Sequence, residues 1–91
     1  METRVAMIAI VVEQREQAEK INHILHAYGT YIIGRMGIPY EKRGICLISV
    51  AVDAPLNTIS GLTGKLGKLS GVSVKAVYSK LPADSTRKKE E

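Results

Sequence analysis

The chain contains no phenylalanine and no tryptophan, and its only aromatic residues are four tyrosines. Apolar residues nevertheless make up 45% of it, so the core has to be aliphatic, built from Ile, Val, Leu, Met and Ala. A single cysteine, Cys46, excludes an internal disulfide framework and fits a reducing compartment. Long hydrophobic runs are also missing. The stretch "RVAMIAIVV" is well short of the roughly 20 residues a membrane-spanning helix needs. Acidic Glu2 and the lack of a small-residue cleavage site argue against a secretory leader, so the expectation is a cytoplasmic protein with no membrane partner.

No strong charge of one sign is present either. The net charge of +4 comes from the body of the chain, because Arg87, Lys88 and Lys89 are cancelled by Asp84, Glu90 and Glu91. A mildly basic domain permits an anionic ligand without demanding one. At 91 residues the chain has room for one domain, expected over 1–81. The stretch 82–91 begins with Pro82, has no apolar periodicity, and is expected to be a disordered polar tail. So small a domain buries only about two-thirds of its unfolded surface, which makes contacts between subunits a natural supplement.

Residues 4–12 are continuously apolar and β-rich, as a central strand would be. Residues 13–29 switch to helical spacing, with Ala18, Ile21, Leu25 and Tyr28 on one stripe and Gly29 as a C-terminal glycine. Residues 30–37 read as a second strand and "IPYEKRG" as a loop. A second doubly apolar strand follows at 45–53. Pro55 then fits a helix's first turn, Ile59, Leu62, Leu66 and Leu69 form its stripe, and a last strand runs over 71–79.

This order is that of an α+β, ferredoxin-like βαββαβ (ACT-like) two-layer sandwich, an antiparallel sheet with two helices on one face. The topology makes the first and third strands central, and these are the two with unbroken apolar runs. Ala6, Ile8, Ile10 and Val12 point to one side, and Val5, Met7, Ala9 and Val11 to the other. Helices cover only one of those sides. A homo-oligomer, dimer or tetramer, is therefore expected, with a second copy over the free face or an edge.

The glycine-rich "SGLTGKLGKLSG" invites comparison with a phosphate-binding loop. A Walker motif needs a glycine where Ile59 stands and Ser or Thr where Leu66 stands, and the dinucleotide spacing also fails. The leucine stripe keeps helical register straight through Gly61, Gly64 and Gly67, so this is an amphipathic helix. Its glycines cost roughly 1 kcal/mol each and leave a thin outer surface, open to close approach by another backbone or ligand.

Other chemistry-bearing patterns are weak. His23 points away from the helix's apolar stripe, His26 lies on its flank, and Cys46 sits in an apolar strand, so no metal site is expected. No nucleophilic triad or carboxylate pair is visible, and the chain is not expected to be an enzyme. RNA stacking would need aromatic rings where the central strands carry aliphatics, and no helix-turn-helix or ribbon arm is present. Direct nucleic-acid binding is not expected.

The most unusual stretch is "GRMGIPYEKRG". Here Gly34 and Gly37 bracket Arg35 and Met36, and Pro39-Tyr40 stiffen the exit. A planar guanidinium beside permissive backbone can hold a small anionic or polar ligand. Gly34, Arg35, Met36, Gly37, Pro39 and Tyr40 are therefore the candidate ligand-binding or subunit-interface residues, and the sequence identifies no cofactor.

"YIIGRMGIPY", "ISVAVDAP" and "ISGLTGKLGKLSGVSVKAVYS" resemble the small proteins of anaerobic bacteria called iron-only hydrogenase system regulators, a label that rests on genomic association. That family is related to ACT-like domains and to the C-terminal domain of the nickel-responsive regulator, both ferredoxin-like and oligomeric. The resemblance implies a non-catalytic regulatory or small-ligand-sensing module. The alternative is a structural protein that docks on a maturation partner without binding a metabolite. The nickel regulator carries a His-x-His pattern where this chain reads Tyr31, Ile32, Ile33, Gly34 and Arg35, so its metal site is not implied here.

Overall fold

A computed structural model describes residues 2–80. The expected tail at 82–91 lies outside the described residues. The elements are β1 (Arg4–Val12), a 3-10 turn (Arg15–Gln17), α1 (Ala18–Ala27), a second 3-10 turn (Gly29–Tyr31), β2 (Ile32–Tyr40), β3 (Ile45–Ala54), α2 (Leu56–Gly67) and β4 (Val72–Tyr78). All strand pairs are antiparallel, in the order β2-β3-β1-β4. The central pair is the expected one, and the fold is the ferredoxin-like α+β sandwich.

The core follows the alternation of β1. Ala6, Ile8, Ile10 and Val12 are buried at 0–3% exposure, opposite Val50, Val52 and Ala54 of β3. Ile21 and Leu25 of α1 and Ile59, Leu62 and Leu66 of α2 close the layer from above. Val5 and Met7 point the other way and stay about half exposed.

Three local expectations are corrected. Ala18 is exposed and does not join the stripe of α1; its place is taken by Gln17, whose Nε2 donates to the Ser70 carbonyl at 3.0 Å. That bond lets a polar side chain sit 7% exposed without loss. Gly29 is not a left-handed cap, because α1 tightens directly into the second 3-10 turn. Left-handed glycines occur instead at Gly44 (φ +67°) and Gly71 (φ +72°). The first closes the tight β2–β3 turn, and the second leads into β4 with its carbonyl accepting from the Glu13 amide at 2.7 Å.

The third correction concerns β2, which runs on through Ile38, Pro39 and Tyr40, residues expected in a loop. Proline cannot donate to a sheet ladder, which makes it a poor strand signal, but an edge strand tolerates it. β2 is that edge.

Candidate functional site

The candidate residues all lie on one strand, and the strand's geometry divides them. A β-bulge at Ile33 inserts an extra residue between the pairs Ile32↔Val52 and Gly34↔Ala51. Beyond the bulge, Arg35 pairs with Val50, Gly37 with Ile48 and Pro39 with Cys46, all on the helix-covered side of the sheet. Gly34, Met36, Ile38 and Tyr40 pair with Ala51, Ser49, Leu47 and Ile45 on the bare side. Without the bulge the two sets would change places, since a one-residue shift turns every side chain to the opposite face.

On the helix side, Arg35, Gly37 and Pro39 line a groove of about 430 Å³ between α1, β2 and β3. Its other walls are Val12, Ala18, Ile45, Cys46 and Ile48, with Arg15 and Asn22 from the 3-10 turn and α1. The groove exists because α1 stops short of the sheet's edge and Gly37 presents no side chain to fill the gap. A Cβ built on Gly37 meets nothing within 4 Å. Arg35 reaches across and donates from Nη2 to Asn22 Oδ1 at 2.7 Å. The bond uses one N–H of the exposed guanidinium and leaves the rest of its five-donor fork available. Arg15 makes a loose ion pair with Glu41 at 3.8 Å, both side chains well exposed, so it is easily exchanged for another anion.

On the bare side, Met36 (59% exposed), Ile38 (47%) and Tyr40 (44%) extend an apolar surface through Leu47, Val11, Ala9, Met7 and Val5 to Val77 on β4. A shallow depression of about 160 Å³ lies among Ala9, Val11, Met36, Ile38 and Leu47. Asp53 and Lys75 are the only charged residues that the strands place on this face among those described. The structure thus does not bring Arg35 and Tyr40 together; they serve opposite surfaces of one strand.

The glycines of α2 have a partial explanation. A Cβ at Gly61 would lie 3.4 Å from the Tyr28 hydroxyl, while Gly64 and Gly67 face open space. Lys65 of the same helix stands 5.1 Å above the Tyr28 ring. Among the described residues no three of His, Cys, Asp and Glu converge, and His23 lies apart from the groove beside Glu19, Lys20 and Leu69. Among the same residues, no helix is long and apolar enough to cross a membrane.

What sequence reading missed at this site is the contribution of the first crossover. The spacing places Ala18 on the buried stripe and gives Arg15 and Asn22 no role, and only the crossover's path over β3 brings the three to the groove that Arg35 lines.

No curated protein matches the chain. Among solved structures, the uncharacterized protein TM1266 from Thermotoga maritima is 39% identical, with a TM-score of 0.82 over 87% of this chain and 100% of that one. A formyltetrahydrofolate deformylase from Pseudomonas putida KT2440 aligns with 80% of this chain and 28% of its own, at a TM-score of 0.60. Its 11% identity makes that a likeness of fold alone. The family model described as "TM1266-like: Iron-only hydrogenase system regulator, putative" matches residues 4–76. The chain belongs to this TM1266-like family.

Proposed function

We propose that the protein is a non-catalytic regulatory module that works as a homo-oligomer and senses a small ligand through β2. The observation that carries this is the double exposure of one strand: none of the nine residues of β2 is buried, although both of its faces carry side chains suited to contact. Met36, Ile38 and Tyr40 belong to the surface that meets a second copy. Arg35, with Gly37 and Pro39, belongs to the ligand groove. Regulation then requires only that occupancy of the groove favour one association state of the bare face, and the family's description as hydrogenase system regulators fits such a role.

A second copy suits the bare face better than an unrelated partner. Among the described residues, the strands place on it one anion, Asp53, and one cation, Lys75, each on a different strand, so a two-fold pairing can match each with the other. Four strands at about 4.8 Å spacing and some nine residues at about 3.3 Å rise give a footprint of roughly 600 Å² per copy. Two such faces reach about 1,200 Å², where specific interfaces begin.

The test is native mass spectrometry of the full chain, with and without Met36→Lys. The wild type is expected as a dimer or tetramer, and the variant as a monomer with unchanged far-UV circular dichroism. A wild type that stays monomeric at tens of micromolar overturns this reading and returns the bare face to a heterologous docking partner.

A further inference from the structure

We infer that the groove between α1 and the β2–β3 edge binds a small amphipathic carboxylate: a single carboxyl group on a compact hydrocarbon body. This rests on the reading of β2 as the sensing strand and names the chemistry that its helix-side face accepts.

Among the described residues, the charged groups lining the groove are two guanidiniums, Arg15 and Arg35, with no acid. An anion is therefore favoured over a cation. Arg35 donates one of its five N–H groups to Asn22, and the remaining donors present a planar fork to a carboxylate. A carboxylate displaces nothing from Arg35, and at Arg15 it replaces only the loose, solvent-exposed contact with Glu41.

Apolar side chains make up most of the remaining wall: Val12, Cys46, Ile48 and Pro39, with Gly37 giving depth. A phosphate dianion would sit badly there. It needs clustered donors around all its oxygens, Pro39 has no N–H to give, and charge against apolar walls loses hydration without repayment. A carboxylate with an apolar tail uses both halves of the lining. At about the 30 Å³ a water molecule occupies, the groove has room for roughly a dozen non-hydrogen atoms.

The experiment is an amide NMR titration of the full chain with hexanoate, isovalerate and phenylacetate, using 1-hexanol and inorganic phosphate as controls. Saturable shifts are expected at Asn22, Gly37 and Ile48 with at least one carboxylate. Hexanol should bind at least about tenfold more weakly than hexanoate, and phosphate should leave these amides unmoved. Arg35→Gln should weaken the carboxylate by about tenfold or more, as loss of a charge-assisted hydrogen bond does. Gly37→Val narrows the groove from a position where a Cβ meets nothing, and should weaken binding severalfold in a chain that still folds.

The inference is overturned if none of the three carboxylates gives saturable shifts, or if hexanol binds as well as hexanoate. It is equally overturned if Gly37→Val binds unchanged, or if the shifts fall on Met36 and Leu47 of the bare face. Native mass spectra of the same samples separate this from the earlier reading. A dimer that ignores every carboxylate overturns the ligand class and leaves the oligomeric module standing. A monomer overturns the oligomeric module whatever it binds.

Discussion

β1 and β2 are both nine residues long and lie in the same sheet, yet they use their alternation in opposite ways. In β1, every second side chain is driven into the aliphatic core, and Ile8 is completely buried. In β2, the same alternation places Arg35, Gly37 and Pro39 on one unfilled surface and Met36, Ile38 and Tyr40 on another. The first strand is central and is covered by both helices; the second is an edge that α1 does not reach across. β2 is held by its ladder to β3, and none of its side chains is part of the buried core. On the proposed reading, β1 serves stability and β2 serves contact within one sheet.

The sharpest way to break that separation is to truncate an isoleucine on each. Ile8→Ala opens a cavity in a closed core and is expected to cost about 2–5 kcal/mol, independent of protein concentration. Ile38→Ala, starting from 47% exposure, is expected to cost under about 1 kcal/mol in dilute protein. Any further loss should appear only as concentration rises and copies associate. Urea unfolding at two concentrations checks both. Equal costs at low concentration would mean that β2 is as structural as β1.

Gly71 tests how tightly the covered side is closed. Its φ of +72° is strained for any side chain, and an added Cβ would lie 2.7 Å from Cγ of Gln14. Gly71→Ala is expected to cost about 1–2 kcal/mol, read as a lowered urea midpoint with an unchanged slope. No such cost attaches to the glycines of β2, which have ordinary backbone angles.

This contrast also governs how much could be read from the residues alone. The central strands were legible from their unbroken apolar runs, and both helices from apolar stripes at helical spacing. The candidate residues stood out as a group in the sequence, since Gly34, Arg35, Gly37 and Pro39 break every regular pattern at once. Their division between two surfaces was not legible. It depends on the bulge at Ile33, and one extra residue in a strand leaves no periodic trace beyond a neighbouring glycine. Proline and the charged turn masked the last third of β2, because neither signals a strand unless its edge position is known. The far wall of the groove was hidden for another reason. Arg15 and Asn22 look like ordinary exposed polar residues until tertiary packing sets them opposite Arg35.

The smallest effect gives the finest comparison, between two small residues on the helix-covered side. Ala6 of β1 is 3% exposed and sits in a filled layer, so Ala6→Val must push neighbours aside and is expected to cost about 1–3 kcal/mol. Gly37 of β2 faces the groove, where the two methyl groups of valine find open space. Valine also suits extended backbone and removes glycine's excess freedom in the unfolded chain. Gly37→Val is therefore expected to be neutral or to stabilise the fold by up to about 1 kcal/mol, visible as a small rise in urea midpoint. The sign carries the argument. A gain in stability would identify Gly37 as a residue whose small size serves the groove and not the fold, while a clear loss would mean that the strand's edge is packed after all.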